Sequence, residues 1–438
     1  MSVTNHPHGG GSPQALSRWR PKVLEHIDTH AADTVAALQN MIRYPSVSGS
    51  DEENGIQDKI ATQLDELGLD VDHWQIPLAE TLSAVDFPGV EVDRSEAWGL
   101  VGALPGRAEG PSLMLNVHVD VVPPGDLDAW RGGAPFGGDA DREFVHGRGA
   151  CDMKGGVVAA LAAVRALVAL DVPLRGSVLL ASVQGEEDGG LGTYAMLARG
   201  WRADACIIPE PTSLDIVPAN GGSLTFRMKV HGLACHSSRR LSGVSAVEKF
   251  WPVFQALRRL EALRNASPPP LMGRWEIPYP IEIGMVRAGD WSSSVPDLLV
   301  AEGRYGVALD EPVALARQHL EQAVAQACSD DPWLRDHPVD LEWWGGQFAS
   351  GQTSADAPII AGLRRAHALT SSHEQGTWGA PYGSDLRLMT GIGGVPTVHY
   401  GPGDAALAHG PGERVPIAEV LTTARTLALL ALDHCGVN

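Results

Sequence analysis

Short apolar runs alternating with helical stretches constrain this chain more than any other feature. Leu113-Met114-Leu115-Asn116-Val117-His118-Val119 is too short for a helix and reads as a strand buried on both faces. Gly155 to Leu170 follows as a helix that is nearly all apolar on one side, and Val178–Val183 and Ala205–Ile208 read as further buried strands. Strand, helix, strand, helix, strand predicts an α/β fold with a mostly parallel sheet flanked by helices. Upstream, helical spacing predicts one helix from Ser12 to Arg43 and another from Gly55 to Leu67. The first eleven or so residues, rich in His, Gly and Pro, read as a mobile tail.

The pattern changes near Gly222. Leu224 to Val230 alternates like a half-exposed strand, a helix is predicted from Val244 to Arg264, and alternating strands recur at Ile281–Val286 and Leu298–Val307. A helix from Pro312 to Cys328 and a strand at Val339–Trp344 complete this α+β order. The buried pattern then returns with a strand at Pro396–Tyr400 and a helix from Pro416 to His434. A single core stops growing at about 250–300 residues, so two domains are expected of 438 residues. The expected division is a discontinuous domain over 1–220 and 349–438, with an inserted domain over 221–348.

Charge narrows the function classes. A formal charge of -20 repels phosphate backbones and anionic lipid, which argues against nucleic-acid and membrane partners. Five scattered cysteines without a CxxC pair argue against a disulfide framework and a structural zinc knuckle. The N-terminus lacks the basic-then-apolar order of a signal peptide, so the cytoplasm is the expected address.

Acidic and imidazole side chains fall just beyond the predicted strands. His118 and Asp120 end the first, Asp152 lies in a Gly-rich turn before a helix, and Glu186 and Glu187 follow Val178–Val183. Glu210 follows Ala205–Ile208, and His409 lies in the loop after Pro396–Tyr400. Ligands of open α/β sheets bind outside the carboxyl ends of the strands. Each residue alone has a plainer reading as a solvated turn acid, a helix N-terminal carboxylate or a surface histidine. Five such loops at one sheet edge do not. Carboxylates crowded there repel one another unless a cation lies between them, and two imidazoles with several carboxylates suit Zn²⁺, Co²⁺ or Mn²⁺ better than Mg²⁺ or Ca²⁺.

The blocks LNVHVDVVPPGDLDAW, GRGACDMKGG, QGEEDGGLGT, IPEPT and YGPGDAALAHG occur in that order. In them the chain resembles the dinuclear metallohydrolase family of acetylornithine deacetylase, succinyl-diaminopimelate desuccinylase, aminoacylase and glutamate carboxypeptidase. The resemblance runs from about Ile42 to the C-terminus. It implies two divalent cations, Zn²⁺ first among the candidates, one held by His118, Asp152 and Glu210 and the other by Asp152, Glu187 and His409. It also implies that Asp120 orients His118 through its other ring nitrogen and that Glu186 is the general base. The insert would be a lid and dimerisation domain, with Leu224–Val230 a candidate sheet edge for pairing. From it His236 would stabilise the oxyanion, often across a homodimer, and Arg304 would grip a substrate carboxylate. Gly383 and Ser384, in PYGSDLRLM with Asp385, match a pocket-lining loop beside Trp378 and Tyr382.

The chain departs from the family pattern at Ser294, Ser245 and Gly412, where asparagine is usual; the first of these puts substrate identity in doubt. The implied activity is hydrolysis of an N-acyl amino acid or related N-acyl amine, in the manner of acetylornithine deacetylase. A carboxypeptidase or dipeptidase acting on short peptides is the alternative. A catalytically silent scaffold is disfavoured because no ligand position is lost, and a nucleic-acid-binding hydrolase because there is no basic stripe.

Overall fold

The computed structural model describes residues 12–130 and 134–438; the tail read as mobile lies outside them. A nine-stranded sheet forms the centre of the larger unit. Its middle strands, in the order Val178–Val183, Leu113–His118, Ala205–Ile208 and Thr397–His399, run parallel. Strands paired antiparallel to their neighbours border them, Trp98–Leu104 then Asp70–Gln75 on one side and Ile216–Asn220 then Gly351–Gln352 on the other, and Thr377–Ala380 pairs in parallel with Ile216–Asn220. The first three middle strands are buried at every residue, as parallel strands covered on both faces must be. The sheet is flanked by helices, among them Gly155–Ala169, which packs against the C-terminal helix Ile417–Cys435. Parallel direction is what matters for the site: the four middle strands end at one edge, and their loops carry Glu186 and Glu187, Asp120, Glu210 and His409.

Local structure differs from expectation in three places. The single helix expected over Ser12 to Arg43 is two helices, Pro13–Thr29 and Ala31–Ile42, broken at His30 (φ -101°, ψ 19°). The His30 ring Nδ1 lies 2.8 Å from the His26 carbonyl oxygen and helps cap the first helix. Asp70–Gln75 and Trp98–Leu104 are strands without a clear alternating signal. Gly99 is required there: a Cβ would lie 2.2 Å from the Trp74 ring that packs across the pair. Thirdly, Gly222–His231 is not a sheet edge. It is paired on both sides, with Leu298–Val307 and with Asp340–Phe348.

Those three strands and Ile281–Ala288 form a four-stranded antiparallel sheet whose free edges are Asp340–Phe348 and Ile281–Ala288. Helices Ala246–Arg264 and Val313–Asp330 cover it, and Leu224, Phe226, Leu257, Leu320 and Tyr305 belong to a core separate from that of the larger sheet. Ser245 caps the first of these helices through its side-chain oxygen, a local role for one of the positions where asparagine is usual. All five cysteines are free, and no helix among the described residues is long and apolar enough to cross a membrane.

His399 ends the last middle strand fully buried, its Nε2 2.9 Å from the Ser384 hydroxyl. Burial pushes its pKa down to about 3. The unfolded chain therefore binds a proton below about 6.5 that the folded chain refuses until about 3. The stability His399 contributes is complete above the unfolded value and drains as the pH falls between the two. Guanidinium midpoints of chelator-treated protein should drop between pH 7 and pH 4.5, and His399→Gln should flatten that drop.

Candidate metal centre

Five loops deliver their side chains to one point. His118 ends its strand buried, and its Nδ1 lies 3.0 Å from the backbone oxygen of Asp120, which fixes the ring and turns Nε2 toward the other loops. Nε2 is 3.2 Å from Asp152 Oδ1 and 3.7 Å from Glu210 Oε1. The second oxygen of Asp152, Oδ2, faces His409 Nε2 at 3.3 Å, and Glu187 Oε2 is 3.1 Å from the same nitrogen. One carboxylate thus addresses two imidazoles, each accompanied by a further glutamate. His409 holds its place with a left-handed backbone (φ 61°), which histidine tolerates better than most residues.

Burial and like charges explain why these carboxylates resist ionising. Burial first, and the Asp152 carboxylate second, raise Glu187 and Glu210 above the ordinary carboxylate range. Glu186 is raised by burial and by Asp385 and Glu210, against the pull of His118. Burial also opposes ionisation of Asp152, but hydrogen bonds from His118 and His409 outweigh it and hold the carboxyl well below its usual value. Burial likewise opposes charge on His118, yet its contacts with Asp120 and Asp152 hold its pKa above the ordinary imidazole value. Their carboxylate neighbours raise the pKa of both rings, so the site favours positive charge, which divalent cations would supply. Imidazole nitrogens and carboxylate oxygens converging from several sides are the donor set that Zn²⁺ and similar ions take. The ligand atoms of His118, Asp152 and Glu187 lie within 4.8 Å of one another, as do those of His118, Glu186 and Glu210, so the residues present fit such a group.

Asp120 meets His118 Nδ1 with its backbone oxygen at 3.0 Å and with its carboxylate at 3.6 Å. The carboxylate also accepts the backbone N–H groups of Glu186 (3.3 Å) and Glu187 (3.2 Å) and the Ser48 hydroxyl, holding the glutamate loop against the His118 strand.

Two supports were missed because their partners are far apart in the chain. Glu413, which follows Gly412, is buried; its Oε2 accepts Arg148 at 2.6 Å and its Oε1 accepts the N–H groups of Cys151 and Asp152. Arg148 also donates to the His409 carbonyl, so this pair ties the Asp152 loop to the His409 loop. On the other flank the buried Arg94 donates to both Asp188, next to Glu187, and Glu53, which accepts the Gly185 N–H. The adjacency of Glu187 and Asp188 was the only sequence signal for the second network.

The remaining expected residues do not join the cluster within one chain. His236 is exposed, its Nδ1 2.8 Å from the Ser238 hydroxyl, and Ser294 bridges to it through the backbone. Arg304 is paired with Glu91 at 2.9 Å. The Ser384 hydroxyl is engaged with His399, and Gly383 packs on Phe348. Trp378 donates to Asp215, away from the carboxylates. Tyr382, by contrast, carries a buried hydroxyl without a partner, and burial followed by Glu210, Asp152 and Glu186 keeps it protonated.

The model of peptidase family M20/M25/M40 matches residues 114–433, which include every residue of the centre. The chain belongs to that family. Among its relatives, the N-formyl-4-amino-5-aminomethyl-2-methylpyrimidine deformylase of Halalkalibacterium halodurans is 26% identical over 95% of this chain and 98% of its own length. The succinyl-diaminopimelate desuccinylase of Methylobacterium nodulans is 38% identical, but over 46% of this chain and 49% of its own. The crystal structure of the metallo-carboxypeptidase Sso-CP2 from Sulfolobus solfataricus superposes with a TM-score of 0.73 at 15% identity, over 91% of this chain and 98% of that one. The protein is therefore a metal-dependent hydrolase of linear amide bonds.

Because Glu413 holds the backbone of Asp152, Glu413→Gln should weaken metal affinity by about 10–100-fold, the usual cost of losing a group that orients a ligand. Competition against a chromophoric chelator measures it, with the far-ultraviolet circular dichroism expected to stay unchanged.

Proposed function

We propose that the protein removes an acyl group from an N-acyl amine by hydrolysis at a centre of two divalent cations, with Glu186 as general base. The observation that carries this reading is the Asp152 carboxylate, whose two oxygens face His118 and His409 separately. One cation would be held by His118, Asp152 and Glu210, and the other by Asp152, Glu187 and His409. When bound, such ions polarise the scissile carbonyl and make the attacking water more acidic.

The chain's own residues supply the rest. Glu186 takes the proton of the water, and the buried setting that raises its pKa lets it keep that proton until the amine nitrogen departs. Asp120 holds the backbone of Glu186 and Glu187, so base and ligand keep a constant separation. Tyr382, neutral and unpartnered among the described residues, is a donor close to the same carboxylates. His236 lies outside this cluster, so its part in stabilising the oxyanion requires the inserted unit of a second copy, and a homodimer belongs to this reading.

Deacylation is favoured over peptide hydrolysis by two relatives that match 94–95% of the chain and are named as deformylases. The desuccinylases, matched over about half of their length, also bear the name of an acyl group removed. Zn²⁺ is the proposed native ion, with Co²⁺ or Mn²⁺ as substitutes, since all accept mixed imidazole and carboxylate ligands.

Geometry alone also allows Glu186 to bind metal with His118 and Glu210. Glu186→Gln separates the two roles. As a base it should lower kcat by about 10²–10⁴-fold, the range a positioned proton acceptor contributes, while metal content by mass spectrometry stays at the wild-type value. Loss of an ion together with activity would make it a ligand instead. A panel of N-formyl, N-acetyl, N-succinyl and dipeptide substrates should show turnover confined to the acyl amines, abolished by chelator and restored by Zn²⁺, Co²⁺ or Mn²⁺.

A further inference from the structure

Three helices of the larger unit, Ala31–Ile42, Asp51–Glu66 and Gly155–Ala169, enclose an open cavity of about 350 Å³. That is the size of a small-molecule site, and none of its lining residues belongs to the metal centre. The third helix faces it with Val158, Leu161, Ala162 and Arg165, spaced as one stripe of an α-helix. The second adds Ile56 and Ile60, both buried, and Ala36 and Ala37 of the first are too small to fill the space between.

Arg165 is the anomaly in this lining. It is the single charged residue of a helix that reads GGVVAALAAVRALVA, and it stands where another apolar residue would complete the stripe. It is half-buried, and its side chain makes no hydrogen bond or ion pair among the described residues. Its charge is felt nearby: after burial and His30, Arg165 is what lowers the pKa of His26. The exposed Lys59 adds a second cation to the lining, its Nζ 3.9 Å from the centre of the Tyr44 ring. The exposed Asp33 pairs with neither cation among the described residues. On a chain of net charge -20, two cations beside one exposed acid make a local positive site.

Tyr44, also in the lining, is fixed in place. It lies so close to the second helix that a Cβ on Gly55 would collide with its hydroxyl. Its carbonyl accepts Lys154 Nζ at 2.7 Å, two residues beyond Asp152. The cavity is thus separate from the metal centre, yet bounded by a residue and a helix that adjoin the Asp152 loop.

We propose that this cavity binds a small amphiphilic monocarboxylate, its apolar body on Ile56, Ile60, Val158 and Leu161 and its carboxylate on Arg165 with Lys59 beside it. Removal of the apolar body from water supplies the drive, and a guanidinium holds a carboxylate by two parallel hydrogen bonds. The half-buried setting strengthens that attraction over its value in water. The site does not depend on which amide the metal centre hydrolyses.

Octanoate is the probe, titrated by calorimetry into metal-loaded protein, with octan-1-ol and octylammonium as controls. Octanoate should bind, and each control at least about 10-fold more weakly, because both lack the anion. Arg165→Gln should weaken octanoate about 10-fold, and Ala162→Phe, which fills the cavity, at least as much. Metal content should stay at the wild-type value in both. An acid can also reach the metal centre, and the variants decide where it sits: octanoate affinity unchanged in either one overturns the proposal. Octan-1-ol binding as tightly as octanoate overturns it too, as does the absence of octanoate binding at about 1 mM. Should Ala162→Phe fail to fold, Lys59→Gln combined with Arg165→Gln carries the same decision, since neither change enlarges a side chain.

Discussion

The shared carboxylate of Asp152 is the constraint on which the rest of the structure depends. Several acids and two imidazoles meet at the carboxyl edge of the central strands, most of them away from water. Like charges at that spacing raise one another's pKa, and burial makes each ionisation harder. Only positive charge placed between them relieves both penalties, and Asp152 is the one group whose two oxygens reach both halves of the site. Among its neighbours, Glu413 accepts its backbone N–H and is itself held by Arg148.

That holding is done by buried ion pairs. Arg148 with Glu413 fixes the backbone of Asp152 and the carbonyl of His409, and Arg94 with Glu53 and Asp188 fixes the loop of Glu186 and Glu187. A buried pair contributes little net stability when intact, yet removing one partner commonly costs about 3–5 kcal/mol because the other charge is left stranded. Such pairs are poor general cement but effective positioning devices. They hold the loops by backbone atoms, the His409 carbonyl and the Asp152 and Gly185 N–H groups. The same logic extends to the inserted unit through Glu91, whose backbone is bound to Asp188 and whose carboxylate is bound to Arg304. The loop of the candidate base and the face of the inserted sheet are thus linked through a single residue.

Much of the fold was legible because burial leaves a mark on residue type. Leu113–His118, Val178–Val183 and Ala205–Ile208 had to be apolar to be covered on both faces, and each is a strand where the run of apolar residues placed it. The helix from Gly155 and the strands of the inserted sheet were legible for the same reason. Trp98–Leu104 was not, because Gly99 there answers to a Trp74 ring 25 residues upstream and not to local preference. The break at His30 is set by one residue's backbone angles, which apolar spacing does not encode.

The residues that bear the chemistry were legible as types and order. His118 ends a strand, Asp120, Glu186, Glu187, Glu210 and His409 follow strands, and Asp152 leads into a helix; strand direction puts most of these loop ends together. How each is held was decided by the tertiary structure. Glu413 reaches Arg148 across 265 positions, and Arg304 reaches Glu91 across 213, so no spacing rule could have paired them. Hydrogen-bond partners are chosen by proximity in space, whereas apolar periodicity is chosen by the solvent each element faces. The chain by itself determined which side chains stand at the sheet edge; only folding decided that Asp120 serves the glutamate loop, that Gly222–His231 is interior, and that the arginine of the insert is already paired.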